Sequence, residues 1–140
     1  MNHRYIFHLS IPVDDLQLAK NFYVGVLDAT IGRENPDWLD ILLWGHQITL
    51  QLQPAEVLPL QQQGKRHFGV VLPWDEWESE AVRVRSSGAT FLAEPKILYG
   101  GTAEEQAKFH LADPSHNIIE IKAYRSVSDT LHLSPTQVQA

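Results

Sequence analysis

Two histidines and a glutamate stand inside runs that alternate like strands, where charge and imidazole are uncommon. His8 lies in YIFHLSIPV, His67 opens HFGVVL, and Glu120 lies in NIIEIKAY. Successive strand side chains point to opposite faces, so Phe7, Leu9, Ile11 and Val13 share one face while Ile6, His8 and Ser10 share the other. By the same rule His67 goes with Gly69 and Val71, and Glu120 goes with Ile118 and Lys122, opposite Ile119 and Ile121. Each polar residue therefore falls on the face that helices do not cover. Two neutral imidazoles and a carboxylate suit a divalent cation and leave positions open for water, dioxygen or substrate oxygens. Taken singly, a strand histidine is more often a satisfied structural residue and a strand glutamate a solvated one. The joint placement is what favours ligation.

The chain has no cysteine, which excludes disulfides, thiolate metal sites and a cysteine nucleophile, so any metal must be held by nitrogen and oxygen. His110 alternates with Phe109 and Leu111; it either faces the site as an acid/base or serves packing. Tyr99, beside Gly100 and Gly101, is either a phenolic proton donor on a loop or an anchor for that loop. Lys122, two residues past Glu120, either lies near the metal or extends to solvent. His46, in a Gly-His turn, either reaches the cleft or stays on the surface.

These residues need elements to position them. Residues 5–13 read as a strand, and Asp14 or Asp15 caps a helix whose apolar positions are Leu16, Ala19, Phe22, Tyr23 and Val26. A short strand at 29–31, a turn at Asn35-Pro36-Asp37 and strands near 39–44 and 48–52 follow. Pro and Gln dominate 54–63, which reads as a linker. The order then returns: a strand at 67–72, a helix from Asp75 with Trp77, Ala81, Val82 and Val84 as core positions, and a short strand at 89–92. A loop at 99–104 leads to strands at 107–112 and 117–124, joined by Asp113-Pro114-Ser115. The tail from Ser126 has no clear pattern. This is an internal repeat of a strand-helix-strand-strand-strand unit, with His8 and His67 at the same point of their first strands. A half of this size buries too little alone, so the two sheets are expected to enclose one cleft.

The segments FHLSIPVDDLQLAKNFYVGVL, HFGVVLPWDEW and FHLADPSHNIIEIKAY resemble the glyoxalase, bleomycin-resistance and extradiol dioxygenase superfamily, also called vicinal oxygen chelate proteins. The match runs over about residues 5–124, and DILLWGHQITLQL is similar to a dioxygenase-like branch. The resemblance implies an α+β fold of two tandem βαβββ modules, forming curved mixed sheets around a metal-containing cavity with helices outside. It implies one domain over 1–140: module one about 4–53, linker 54–64, module two about 65–125 and tail 126–140. It also implies that His8, His67 and Glu120 hold one divalent ion, with Fe(II) favoured and Ni(II), Zn(II) or Mn(II) as alternatives. Relatives of the glyoxalase I type add a second carboxylate from the fourth strand, where this chain reads ITLQLQ; Gln51 is the nearest candidate and a weaker, neutral ligand. In the DPSHN turn His116 stands where the family commonly has Gly.

The expected activity is an extradiol dioxygenase-like oxidation of a small, oxygen-rich substrate, with His110 or Tyr99 as proton donor. A glyoxalase-type isomerase or lyase and a non-catalytic, resistance-type binding protein are the alternatives. A homodimer is expected from the resemblance, with the modules paired within one chain or exchanged between two. The net charge of -6 and the lack of a Lys/Arg cluster argue against nucleic acid and anionic membranes. With no signal-like apolar start and no run of about 18 apolar residues, a cytoplasmic protein is expected.

Overall fold

The computed structural model describes residues 5–138, without the side chains of the last two. Contacts divide it into two units: the chain up to Arg66 with Ala112–Ile118, and His67–Leu111 with the chain from Ile119 onward.

The first unit contains β1 (His8–Val13), α1 (Leu16–Gly25), β2 (Thr30–Asn35), β3 (Trp38–Leu43) and β4 (His46–Leu52). They form a mixed sheet of order β1-β4-β3-β2, with β1 parallel to β4 and the rest antiparallel. Asp15 caps α1 by accepting from the Leu18 N–H at 2.9 Å. The helix lies against β3 and β4 and buries Ala19 and Tyr23 completely, while Leu16, Phe22 and Val26 are half-buried. The β3–β4 hairpin turns at Trp44 and Gly45, both at positive φ (53° and 80°), the two-residue turn whose twist matches the strands. His46 is therefore the first residue of β4 rather than part of the turn, and its Nδ1 accepts from the Phe7 N–H at 2.9 Å.

The second unit repeats the order with β5 (Phe68–Val71), α2 (Trp74–Ser86), β6 (Ala93–Leu98), β7 (Gln106–Ala112) and β8 (Ile118–Tyr124), in the sheet β5-β8-β7-β6. Trp77 anchors α2: its indole N–H donates to the Ile121 carbonyl at 2.9 Å and its ring lies 5.9 Å from Phe109. Val84 is also buried on this helix, but Val82, expected in the core, is exposed because it lies off the Trp77–Val84 stripe. The stretch 54–63, read from the sequence as a linker, forms two short 3-10 turns, Pro54–Glu56 and Leu60–Gln62, and belongs to the first unit. Short helices α3 (Val127–Thr130) and α4 (Pro135–Val138) follow β8. Among the described residues no helix is long and apolar enough to cross a membrane.

The α+β architecture agrees with the expectation, but the short strands do not fall where alternation puts them. Residues 89–92 are not a strand, and the pairing runs instead through Ala93–Leu98; likewise 29–31 is only the start of Thr30–Asn35. Both are edge strands with one partner, so neither needs a clean alternation, and β6 even contains Pro95. Each also carries a bulge. Gly32 and Arg33 oppose the single residue Asp40, and Glu94 and Pro95 oppose Phe109.

The turn after β7 belongs to the first unit because its polar groups are tied there. Asp113 Oδ1 accepts from the backbone N–H groups of Ser115 and Asn117 at 2.8 and 2.9 Å, and Oδ2 accepts from Tyr23 Oη at 2.7 Å and Asn117 Nδ2 at 2.9 Å. Asn117 also donates to the Pro12 carbonyl at 3.0 Å, and Ser115 Oγ exchanges hydrogen bonds with Asp14. His116 takes φ 70° in this turn. Burial pushes the Asp113 carboxyl up, and the bonds from Asn117, Tyr23 and Ser115 offset only part of that rise. Tyr23→Phe is expected to lower unfolding stability by about 1.5–3 kcal/mol, the usual cost of losing a hydrogen bond to a charged group. Urea denaturation checks this; a change within about 0.5 kcal/mol would show the hydroxyl to be dispensable.

Candidate functional site

In the second unit, Gly69 of β5 is the register partner of Glu120 on β8. Ile119, Ile121 and Ala123 are fully buried on one face of β8, which turns Ile118, Glu120, Lys122 and Tyr124 to the other. On β7 the same division buries Ala107, Phe109 and Leu111 and leaves Lys108 and His110 on the face of Glu120. The apolar core thus determines which polar side chains meet.

They meet at Glu120, which is 7% exposed. Its Oε1 lies 3.1 Å from His110 Nε2 and 3.7 Å from Lys108 Nζ; its Oε2 lies 3.2 Å from His67 Nε2 and 3.8 Å from Lys122 Nζ. The two imidazole rings are 5.8 Å apart. Burial acts to raise the Glu120 carboxyl, but the His110 hydrogen bond and the charges of Lys122, His67 and His110 outweigh it and hold the carboxyl below its ordinary value. Glu120 is therefore an anion at neutral pH. A contact of 3.1 Å between an imidazole nitrogen and a carboxylate needs a proton, so His110 carries it on Nε2.

The expected residues divide as follows. His67, His110, Glu120 and Lys122 come together in the second unit, joined by Lys108, which the sequence reading did not single out although it alternates with His110. Tyr99 stands at φ 55° just past β6, its side chain 60% exposed, and its carbonyl accepts from Thr102 Oγ1 at 2.7 Å. The β6–β7 register sets Leu98 against Gln106 and Ala93 against His110, so Tyr99, one residue past Leu98, lies about five residues, roughly 17 Å, along the strands from His110.

In the first unit His8 is exposed on β1, with Gln47 as its register partner. Gln51 pairs with Pro12 and donates from Nε2 to Ser10 Oγ at 3.2 Å. Glu120 pairs with the residue two past His67, and the corresponding residue two past His8, Ser10, pairs with Thr49. Thr49 donates from Oγ1 at 2.7 Å to Asp40, a buried carboxylate on the same face that also accepts from Arg33 Nε at 2.7 Å. The carboxylate of this sheet thus comes from β3, one strand away from where the repeat would put it.

Burial acts to raise the Asp40 carboxyl, but hydrogen bonds from Thr49 and Arg33 and the charges of Arg33 and His8 prevail, so it titrates below its ordinary value. A carboxyl with a lowered folded pKa contributes stability that is present above its unfolded value, about 3.9, and is lost as pH falls through the folded value. Asp40→Asn is therefore expected to cost about 1–3 kcal/mol at neutral pH and to flatten the loss of stability below pH ~4. Denaturation midpoints between pH 2 and 7 would show it; parallel curves for both proteins would remove Asp40 from the acid transition.

The donor set in the second unit fits a divalent metal: imidazole nitrogens and an ionised carboxylate, with no soft ligand. His110 and Glu120 are nonetheless hydrogen-bonded to each other, and among the described residues no group of three or more His, Asp or Glu is gathered to hold an ion. Metal binding at Glu120 Oε1 would have to displace the proton that His110 directs at it.

The family model described as Glyoxalase/Bleomycin resistance protein/Dioxygenase superfamily matches residues 5–121. A glyoxalase/bleomycin resistance protein/dioxygenase from Alicyclobacillus acidocaldarius superposes with a TM-score of 0.82 at 28% identity, covering 92% of this chain and 96% of that one. The genomically encoded fosfomycin resistance protein FosX from Listeria monocytogenes gives 0.68 at 16% identity, covering 91% and 98%. FosX from Mesorhizobium loti gives 0.64 at 15%, covering 93% and 99%. At these identities the two FosX likenesses show the fold alone. No curated protein sequence matches the chain.

Proposed function

Because the chain belongs to the glyoxalase/bleomycin resistance protein/dioxygenase superfamily, we propose that it is a metal-dependent enzyme acting on a small, oxygen-rich, anionic substrate, with an extradiol dioxygenase-like oxidation as the reaction. The observation that carries this is the buried Glu120 carboxylate with His67, His110, Lys108 and Lys122 all within 3.8 Å of its oxygens. In this reading Glu120 and His67 are ligands, with His8 as the third on the strength of the resemblance; Gln51 stays outside the set.

A bound divalent metal, Fe(II) first among the candidates, would supply a positive centre for two neighbouring substrate oxygens. Lys108 and Lys122 would hold anionic oxygens in a chain whose net charge of -6 otherwise repels them. His110, with its Nε2–H against Glu120, can accept a proton from a substrate hydroxyl at its other ring nitrogen and return it to a substrate oxygen, with the carboxylate stabilising the imidazolium between the two events. A homodimer completes the reading.

Metal analysis of protein purified without chelator, with His67→Ala as control, tests it, followed by oxygen uptake with catechols. About one ion per chain, lost in the variant, together with oxygen uptake is the expected result. An ion without oxygen uptake turns the reading to an isomerase or lyase. Absence of any ion makes the protein a binding module and overturns the enzyme reading.

A further inference from the structure

The bulge in β2 has a consequence on the polar face of the first sheet. An unbroken strand pairing Ile31 with Ile41 would send Arg33 to the helix-covered face, with Ile31. The extra residue opposite Asp40 reverses this and brings Arg33 onto the face of Asp40 and Thr49. The equivalent bulge in the second unit opposes Phe109, on the buried face, and its Glu94 pairs instead with Arg85 of α2 at 2.6 Å.

The guanidinium is held firmly but incompletely. Its Nε donates to Asp40 Oδ2 at 2.7 Å, and its Cζ lies over the Trp38 ring, 4.8 Å from the centroid. Asp40, 3% exposed, is fixed in turn by Thr49 at 2.7 Å and Gln47 at 3.4 Å. Among the described residues no hydrogen bond reaches the two terminal nitrogens of Arg33, and the side chain is 73% exposed. It borders a cleft of about 620 Å³ whose apolar side chains on the face of Asp40 are Ile6 and Leu42, with Thr30 and Gln47 beside them. Those two apolar side chains are 59% and 48% exposed, so aliphatic surface stands in water next to an oriented, half-used guanidinium.

We propose that this cleft binds the carboxylate of a small molecule with an apolar body, Arg33 taking the carboxylate and Ile6 and Leu42 covering the body. The volume lies in the range of small-ligand pockets. A guanidinium with its Nε engaged and an indole ring beneath its Cζ loses little freedom on binding, and its free edge matches a carboxylate. The proposal goes beyond the metal reading and stands whether or not a metal binds.

The test is an NMR titration of the ¹⁵N-labelled full chain in EDTA with benzoate, benzyl alcohol and inorganic phosphate as separate probes. Benzoate is expected to shift the Arg33 Nε–H, the Trp38 indole N–H and the amides around Ile31 and Leu42, with a Kd of about 1 mM, and benzyl alcohol and phosphate should bind at least about tenfold more weakly. Arg33→Met should abolish the benzoate shifts and Arg33→Lys should weaken them, while both keep the rest of the amide spectrum, as suits an exposed side chain. Four results would each overturn the proposal: no shifts with benzoate at about 50 mM, equal binding of either other probe, unchanged titration of Arg33→Met, or shifts confined to Lys108 and Lys122. Because EDTA removes metal, failure here and failure of the enzyme reading are distinguishable.

Discussion

Gly69→Ala is expected to abolish or severely weaken folding of the second unit. A Cβ built on Gly69 would lie 1.7 Å from the Glu120 carbonyl oxygen and 2.7 Å from its carbonyl carbon. These are backbone atoms, so no rotamer change relieves the overlap; β5 and β8 must separate or slip. Separation breaks the parallel pairing of Phe68–Val71 with β8, and a one-residue slip would turn Glu120 toward the apolar face. Either outcome exceeds the ordinary range of point substitutions, so a loss of at least about 4 kcal/mol is expected, enough to unfold a marginally stable domain. Thermal melting with a Gly69→Ser comparison would check it. A fall in Tm of less than about 5 °C for Gly69→Ala would show that the strands accommodate the methyl group.

Glu120→Gln is expected to lower affinity for a divalent ion by at least about 100-fold, equivalent to about 2.7 kcal/mol, with Co(II) as the spectroscopic probe. The substitution preserves shape and removes only the charge. It leaves Lys108 and Lys122 without the carboxylate they flank at 3.7 and 3.8 Å, so cation repulsion adds to the loss of a ligand. His67→Ala should cost a similar amount and Gln51→Ala little, whereas His110→Ala should keep most of the metal and reduce turnover by about 10²–10⁴-fold. Affinity should also fall as the solution is acidified, because protons compete with the metal for the imidazole nitrogens and the carboxylate. Titrations of the four variants at pH 5.5 and 7.5 decide among these. Undiminished Co(II) binding by Glu120→Gln would remove Glu120 from the ligand set, and a large loss in Gln51→Ala would favour a four-ligand, isomerase-like site.

The sequence by itself determined the repeat, the element order and the central strands. Buried strands such as Ile118–Tyr124 must alternate strictly, because one face meets a helix, and that requirement is written into Ile119, Ile121 and Ala123. The same alternation made Glu120 and Lys122 legible as neighbours on the other face, and the residues of the DPSHN turn were legible as a turn from their chemistry. Edge strands carried no such record. With one partner and little burial, Thr30–Asn35 and Ala93–Leu98 follow pairing rather than pattern, so their positions came from the tertiary structure. Only the structure could bring Lys108 to Glu120 or Arg33 to Asp40. The first depends on the lateral neighbour of β8, which no local period encodes, and the second depends on a bulge that inverts the face a side chain would otherwise take. Periodicity encodes which side of its own strand a residue occupies; which charges then become neighbours is decided by strand order and register, properties of the assembled sheet.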